Sequence, residues 1–318
     1  MPHAFEILDS TLREGEQCFG VFFSIETNKR IAALLDEIGV DFIEAGHPAA
    51  APSIEQAVSE IAGMRLRARV IAHARLDCRE IRLVRDLGLQ WVGLFAGISE
   101  QSLKRYGRQK HEVYKRVREA VLFARRLGLR VKFACEDASR TDARGLVGFY
   151  RYLQSLGVDR LSYADTLGLM TPEALARTRE AFQEQMPFSS LHFHFHDDFG
   201  RAAENASYAA RCGAKCIDAS ILGIGERTGL VPLECVMNGR AQHQIDALAK
   251  AVKLVGSCID QDHYNNRRFA HKSGIHINGM IKDPASYEPT GAENAGRQRL
   301  FVLSKLIGRS GLQALLSR

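Results

Sequence analysis

Residues 130–165 read RVKFACEDASRTDARGLVGFYRYLQSLGVDRLSYAD. Arg130–Cys135 and Arg160–Asp165 are short runs rich in Val, Phe and Leu, as strands covered on both faces are. Between them Leu146–Leu156 has the spacing of an amphipathic helix, and Gly157 supplies the left-handed stop that ends it. Working outward, the same strand-then-helix unit recurs. Further strands are predicted at Phe5–Thr11, Asp41–Ala45, Arg69–Arg75, Trp91–Ala96, Leu191–His196 and Cys216–Leu222. Helical patterns lie at Thr27–Ile38, Ile54–Ile61, Val113–Leu127, Pro172–Gln185 and Ala202–Cys212. Gly39, Gly88, Gly128 and Gly213 repeat the stop signal, and Thr171-Pro172 is a helix start with Thr as cap and Pro in the first turn.

Eight such units predict an α/β chain folded as a (β/α)8 TIM barrel with a short C-terminal helical appendage. An open doubly wound sheet fits less well, because no Gly-rich dinucleotide turn follows any strand. The rhythm stops near Lys250. Residues 1–250 are therefore read as the barrel and 251–318 as a lid and dimerisation segment. That segment contains one polar, His-rich loop (Asp260–Gly279) and a closing helix near Gly311–Leu316.

The 318 residues are 46% hydrophobic and 25% charged, ordinary globular usage. The net charge of +6 comes mostly from scattered arginines such as Arg65, Arg67 and Arg69. With no block of like charge and no interleaved aromatics, a nucleic-acid partner is not expected. The seven cysteines include no CxxC, which argues against a disulfide framework or a zinc ribbon. Met1–Phe5 carries no secretory pattern and no apolar run reaches membrane-spanning length, so a cytoplasmic protein without a membrane partner is expected.

Barrel enzymes build their sites where strands run into βα loops. Those ends carry Asp9-Ser-Thr-Leu-Arg-Glu-Gly-Glu-Gln17, Glu44-Ala-Gly-His-Pro48, His73-Ala-Arg75, Glu136-Asp137, Asp165-Thr166, His194-Phe-His-Asp-Asp198 and Gly223-Ile-Gly-Glu-Arg227. His194 and His196 share a strand face, so two imidazoles converge on the lumen, where neutral imidazole is a common metal ligand. His192 has the same parity but lies farther from the strand end. Arg13-Glu14 reads either as a surface ion pair or as a buried anion clamp. Glu136, Asp137 and Asp165 read as bases, as partners of the histidines or as helix caps, with capping the stronger reading for Asp137 and Asp142. Gly223-x-Gly225 is weak as a phosphate loop.

At these residues the sequence resembles the metal-dependent barrel family of homocitrate synthase, isopropylmalate synthase and hydroxymethylglutaryl-CoA lyase. Four stretches carry the resemblance: Asp9–Gln17, His194–Gly200, Leu222–Glu234 and His271-Lys-Ser-Gly-Ile-His-Ile-Asn-Gly279. Glu14, where isopropylmalate synthases usually have Asp, and Leu230-Val-Pro-Leu233, where Asn is usual, are similar to the homocitrate synthase branch. Cys135–Arg140 looks most like the nitrogenase-associated members of that branch.

The resemblance implies an acyltransferase that condenses acetyl-CoA with a 2-oxo acid, most simply 2-oxoglutarate. It implies a divalent metal (Mg, Mn or Zn) on Glu14, His194 and His196, and catalytic roles for Arg13, Glu136 and His276, the last two acting together. It implies 2-oxo acid binding by Gln17, His73, Lys132 and Thr166. A homodimer is implied, with the appended segment capping the neighbouring barrel. Lys132 stands where homocitrate synthases often carry Arg, Ala134 where they often carry Ser, and Gly93 near a usual acidic position. Oxaloacetate, phosphonopyruvate and 2-oxoisovalerate are therefore alternative acceptors. A C–C lyase is a further alternative, although that enzyme's loop cysteine has no match.

Overall fold

The computed structural model describes residues 5–237, 239 and 241–316. Eight parallel strands close into a barrel in sequence order: β1 (Glu6–Asp9), β2 (Phe42–Gly46), β3 (Arg69–His73), β4 (Trp91–Ala96), β5 (Arg130–Cys135), β6 (Arg160–Asp165), β7 (Leu191–Phe195) and β8 (Cys216–Ala219). Closure is made by β1 against β8, with Glu6 opposite Cys216 and Asp9 opposite Ala219. The helices of the outer layer are α1 (Ile25–Ile38), α2 (Pro52–Ala62), α3 (Cys78–Asp86), α4 (Glu100–Tyr106), α5 (Lys110–Arg126), α6 (Ala143–Ser155), α7 (Pro172–Phe182), α8 (Ala202–Arg211) and α9 (Gln242–Gly256).

Local signals explain where these helices begin and end. Ser24, Asp77, Ser99, Asp142 and Thr171 each accept a backbone N–H of the first turn, satisfying a donor that has no partner within the helix. Asp137 does not cap in this way. The chain turns left-handed there, with φ 60°, and its carboxylate instead takes hydrogen bonds from Ser99 and Arg140. Asp165 accepts the N–H groups of Leu169 and Met170 at 3.0 and 2.9 Å and shapes the loop after β6.

The two ends of the barrel differ. At the N-terminal end Leu8, Phe42, Ile71, Trp91 and Cys216 pack into an apolar plug. Arg69 lies over the Phe42 ring, 3.8 Å from its centre, and pairs with Glu6. The opposite end holds the polar residues and opens into a cavity.

Helix α9 runs through residue 250 to Gly256, because Ala247, Leu248, Ala251 and Val255 make one buried apolar face. The segment beyond it contains α10 (Gln261–Asn265), β9 (Ala270–His271), α11 (Gly274–Lys282), β10 (Leu300–Phe301) and α12 (Gly308–Leu316). The stretch 260–279, expected as a loop, is thus largely structured. It lies over the barrel of its own chain rather than away from it. Lys272 is buried and donates to the carbonyls of Glu16, Cys18 and Val21, Lys305 pairs with Glu16 at 2.5 Å, and Arg140 donates to the Ala285 carbonyl at 2.8 Å.

Candidate active site

One cavity of about 680 Å3 opens between the C-terminal barrel rim and the lid. That is an ordinary size for a small-molecule site. Arg13, Glu14, Gln17, His73, Lys132, Glu136, Thr166, His194, His196 and His276, which come from six separate stretches of sequence, all line it.

Glu14 follows β1, while His194 and His196 come from β7 and the residue after it. Their ligand atoms lie within 4.8 Å of one another and all three side chains are buried. Burial lowers the pKa of both histidines, that of His196 far below its usual value, so both are neutral and offer lone pairs. Asp218 on β8 stands 3.3 Å from His194 Nδ1, which leaves Nε2 free to coordinate and fixes the ring by a carboxylate–imidazole pair of the kind found behind metal ligands. Nδ1 of His196 is buried without a hydrogen-bond partner. One carboxylate and two neutral imidazoles on one point, with coordination positions left open, fit a divalent cation.

A second trio, His192, Cys216 and Asp218, also clusters. It is poorly suited to a cation, because the Lys132 ammonium sits 2.8 Å from Asp218 and burial keeps the Cys216 thiol protonated.

Around the first trio the charges are tightly paired. Arg13 contacts Glu14 and lies 2.7 Å from Glu44 Oε2. Glu44 also meets His73 at 2.8 Å and Lys132 at 3.2 Å. Burial opposes ionisation of Glu44, but Arg13, His73 and Lys132 outweigh it and hold the carboxyl well below the usual range. His73 itself is pushed down to about 4 by burial, against the pull of Glu44, so it is neutral. Burial also opposes the charge of Lys132, and Asp218 and Glu44 overcome it and keep the ammonium protonated. The His73 ring leaves no room at Gly93. A β-carbon there would come within 2.6 Å of the ring, so the acidic side chain usual in the family near this position would require His73 to move.

The lid face of the cavity is built differently. Glu136 accepts from Arg105, Tyr106 and Tyr287 at 2.5, 2.6 and 2.8 Å. Burial opposes its ionisation, and Arg105 and the two phenols lower its pKa despite it. His276 makes no direct hydrogen bond to Glu136 among the described residues; Tyr287 stands between them, donating to Glu136. The His276 ring packs on Tyr287, with centroids 4.1 Å apart, and its Nδ1 faces Glu226 at 3.2 Å. Thr166 uses its hydroxyl to accept the Asp137 N–H. Arg227, fully buried, is bidentate on Asp198 and donates to the Thr166 carbonyl, tying the last three βα loops together.

Sequence reading by strand ends found Glu44 and Glu226 as positions but assigned them no task. It missed Asp218, Arg105, Tyr106 and Tyr287. Asp218 alone left a signal, a carboxylate inside the apolar strand Cys216–Ala219. The others join the site only through tertiary contact.

Fold, cavity and donor set define a metal-dependent barrel enzyme. A family model described as HMGL-like matches residues 4–255, and one described as homocitrate synthase post-HMGL domain-like matches residues 265–318. The homocitrate synthase of Saccharolobus solfataricus is 34% identical over 96% of this chain and 70% of its own. That of Sulfolobus acidocaldarius is 34% identical over 96% and 69%. The fold is similar to the HMG-CoA lyase of Bacillus subtilis, with a TM-score of 0.71 and 19% identity over 80% of this chain and 94% of that one. It is also similar to hydroxymethylglutaryl-CoA lyase of Pseudomonas aeruginosa, with a TM-score of 0.67 and 20% identity over 100% and 99%. The chain belongs to the HMGL-like family of divalent-metal-dependent enzymes and, within it, to the homocitrate synthase-like acyltransferases. Among the described residues no helix is long and apolar enough to cross a membrane.

Proposed function

We propose that this enzyme condenses acetyl-CoA with a 2-oxo acid, 2-oxoglutarate in the first instance, to give homocitrate and CoA. The observation that carries this reading is the meeting of Arg13, the Glu14–His194–His196 trio and His276 in one cavity. Its support is the 34% identity to enzymes named homocitrate synthase.

A divalent ion on Glu14, His194 and His196 would supply Lewis acidity to a chelating 2-oxo acid. Arg13, fixed by Glu14 and Glu44, faces the same point and stabilises the negative charge that grows on the former ketone oxygen. Gln17, His73, Thr166 and Lys132 surround the rest of the 2-oxo acid, with His73 and Lys132 deepest in the barrel. Across the cavity His276 accepts a methyl proton from acetyl-CoA. The C–H electrons form the enolate, the enolate carbon bonds to the keto carbon, and the ketone oxygen ends protonated. Glu136, held by Arg105 and two phenols, is placed to move protons on this side. Water then cleaves the thioester and CoA leaves as the thiol. Arg75, Arg108, Arg116 and Lys282 also line the cavity, a cationic approach suited to the phosphates of CoA.

The test is thiol release from acetyl-CoA with a panel of 2-oxo acids, in the presence of Mg, Mn or Zn and after chelation. The expected result is metal-dependent release, largest with 2-oxoglutarate. No release with any acid overturns the reading. A second acceptor reading rests on two observations: the Lys132 ammonium is already shared by Asp218 and Glu44, and Ala134 offers no hydroxyl. Release largest with phosphonopyruvate, oxaloacetate or 2-oxoisovalerate would select it.

A further inference from the structure

Glu226 lies in the loop after β8 with no solvent exposure. His276 Nδ1 is 3.2 Å from its Oε1 and His271 Nδ1 is 3.3 Å from the same atom. These contacts fall short of hydrogen-bond geometry, and neither Glu226 oxygen has any hydrogen-bond partner among the described residues, so the two imidazoles are the nearest groups able to compensate a buried carboxylate. Behind them His271 Nε2 meets Glu288 at 3.1 Å, and Arg299 grips Glu288 with two hydrogen bonds of 2.8 and 2.7 Å. The row Arg299–Glu288–His271–Glu226–His276 therefore runs from the lid into the cavity with alternating charge character. The backbone N–H of Glu226 meanwhile donates to Glu14 Oε1 at 3.3 Å, so the residue is anchored at the same rim that carries the trio.

A neutral imidazole has one N–H, and the group bonded to one nitrogen decides which nitrogen is bare. A carboxylate at Nδ1 takes the proton there and leaves Nε2 basic, the arrangement that makes a buried carboxylate–histidine pair an effective base. We propose that Glu226 is a positioning residue for His276. It holds the Nδ1–H of His276, turns the bare Nε2 to the cavity, and is itself held by His271, Glu288 and Arg299. When Nε2 takes the methyl proton of the thioester, the C–H bond breaks, its electrons pass to the enolate, and the resulting imidazolium keeps its Nδ1–H on Glu226. Glu136 makes no such contact at Nδ1; it accepts from Tyr287, on whose ring His276 packs. This inference rests on the acyltransferase reading for its kinetics but not for its geometry.

The first measurement is the 15N imidazole spectrum of the wild-type holoenzyme, assigned with His276→Asn. Protonated Nδ1 with bare Nε2 is expected, and protonated Nε2 overturns the proposal whatever the reaction proves to be. The second is Glu226→Gln, whose amide no longer dictates the tautomer. We expect kcat lower by roughly 10²–10³, the scale of general-base catalysis, with KM for the 2-oxo acid within about twofold. Metal content and Tm should match wild type. Unchanged kcat, a loss confined to KM, or loss of bound metal each overturns it. The double variant Glu226→Gln/His276→Ala should be no slower than His276→Ala alone, since both act through one ring; independent, multiplying losses overturn it. Absence of thiol release in the wild type would instead count against the reaction, and the tautomer would still decide the inference.

Discussion

The barrel rim and the lid meet at one cavity but place their chemistry by opposite means. On the rim the functional side chains stand on the strands of the closed sheet or in the turns directly after them, and the charges cancel at short range: Arg13 with Glu14 and Glu44, Lys132 with Glu44 and Asp218. The lid has little sheet to fix it. It is held by Lys272 on three carbonyls, by Tyr287 on Glu136 and by the row of residues behind His276. A rim built on strands tolerates little change in what it binds. A lid held by side chains can lose its chemical task while the rim keeps its own.

The variant that should separate them most is His194→Ala. Two remaining ligands are too few to retain a divalent ion through dialysis. We expect metal content by mass spectrometry to fall to background and turnover to fall about a thousandfold or more, several kcal/mol of Lewis-acid stabilisation. Full metal occupancy would remove His194 from the rim set. The matching lid variant, His276→Ala, should lower kcat by about 10²–10⁴ while metal content and 2-oxo acid binding by calorimetry stay as in wild type. If 2-oxo acid binding also collapsed, rim and lid would not be separable.

How much of this was legible in the sequence follows the same division. The barrel was readable because eight buried strands and their Gly-stopped helices repeat one period. The rim residues were readable because period-2 strands put His194 and His196 on one face. Position along the strand also separated them from His192, which is fully buried near the plug. The lid has no period, and its 260–279 stretch looked like a loop. His276 was found only through resemblance to a family, and the carboxylate facing its Nδ1 was not singled out. Glu136 is far from it in sequence and so is Glu226, and only folding shows which carboxylate faces Nδ1. Asp137 was misread for a local reason, since a cap needs an extended backbone and this residue turns left-handed.

Lys132→Met tests the pairing on the rim by stability rather than rate. Removing one member of a buried, hydrogen-bonded charge cluster leaves Glu44 to Arg13 and His73 and leaves Asp218 with neutral imidazoles alone, at a cost of about 3–5 kcal/mol. Chemical denaturation should show this as a lower midpoint with an unchanged slope. A loss below about 1 kcal/mol would mean that Arg13 and the histidines suffice for both carboxylates.

The smallest effect expected concerns the lid alone, and its sign follows from two groups. Burial opposes the charge of Glu288, but His271 and Arg299 lower its pKa from 4.5 to about 2. Its contribution to lid docking is complete above about 4.5 and is lost as the pH falls towards 2. Burial opposes protonation of His271, yet Glu226 and Glu288 raise its pKa above 6.5. That contribution is complete below 6.5 and is lost as the pH rises through the raised value. His276, whose pKa burial lowers, opposes docking as it protonates below 6.5, so the two groups are read in the His276→Ala variant, where docking should be tightest between about 4.5 and 6.5 and should loosen on both sides. Amide hydrogen exchange, corrected for its intrinsic pH dependence, should show maximal protection of residues 270–282 inside that window. Glu288→Gln should weaken both limbs: Glu226, whose charge burial opposes but whose pKa the lid histidines lower to about 2, keeps an acid limb of its own, and His271 keeps only Glu226. If protection of the lid and of β5–β6 rose and fell together with pH, the lid would be part of the barrel's own cooperative unit, and the contrast between the two regions would be one of chemistry alone.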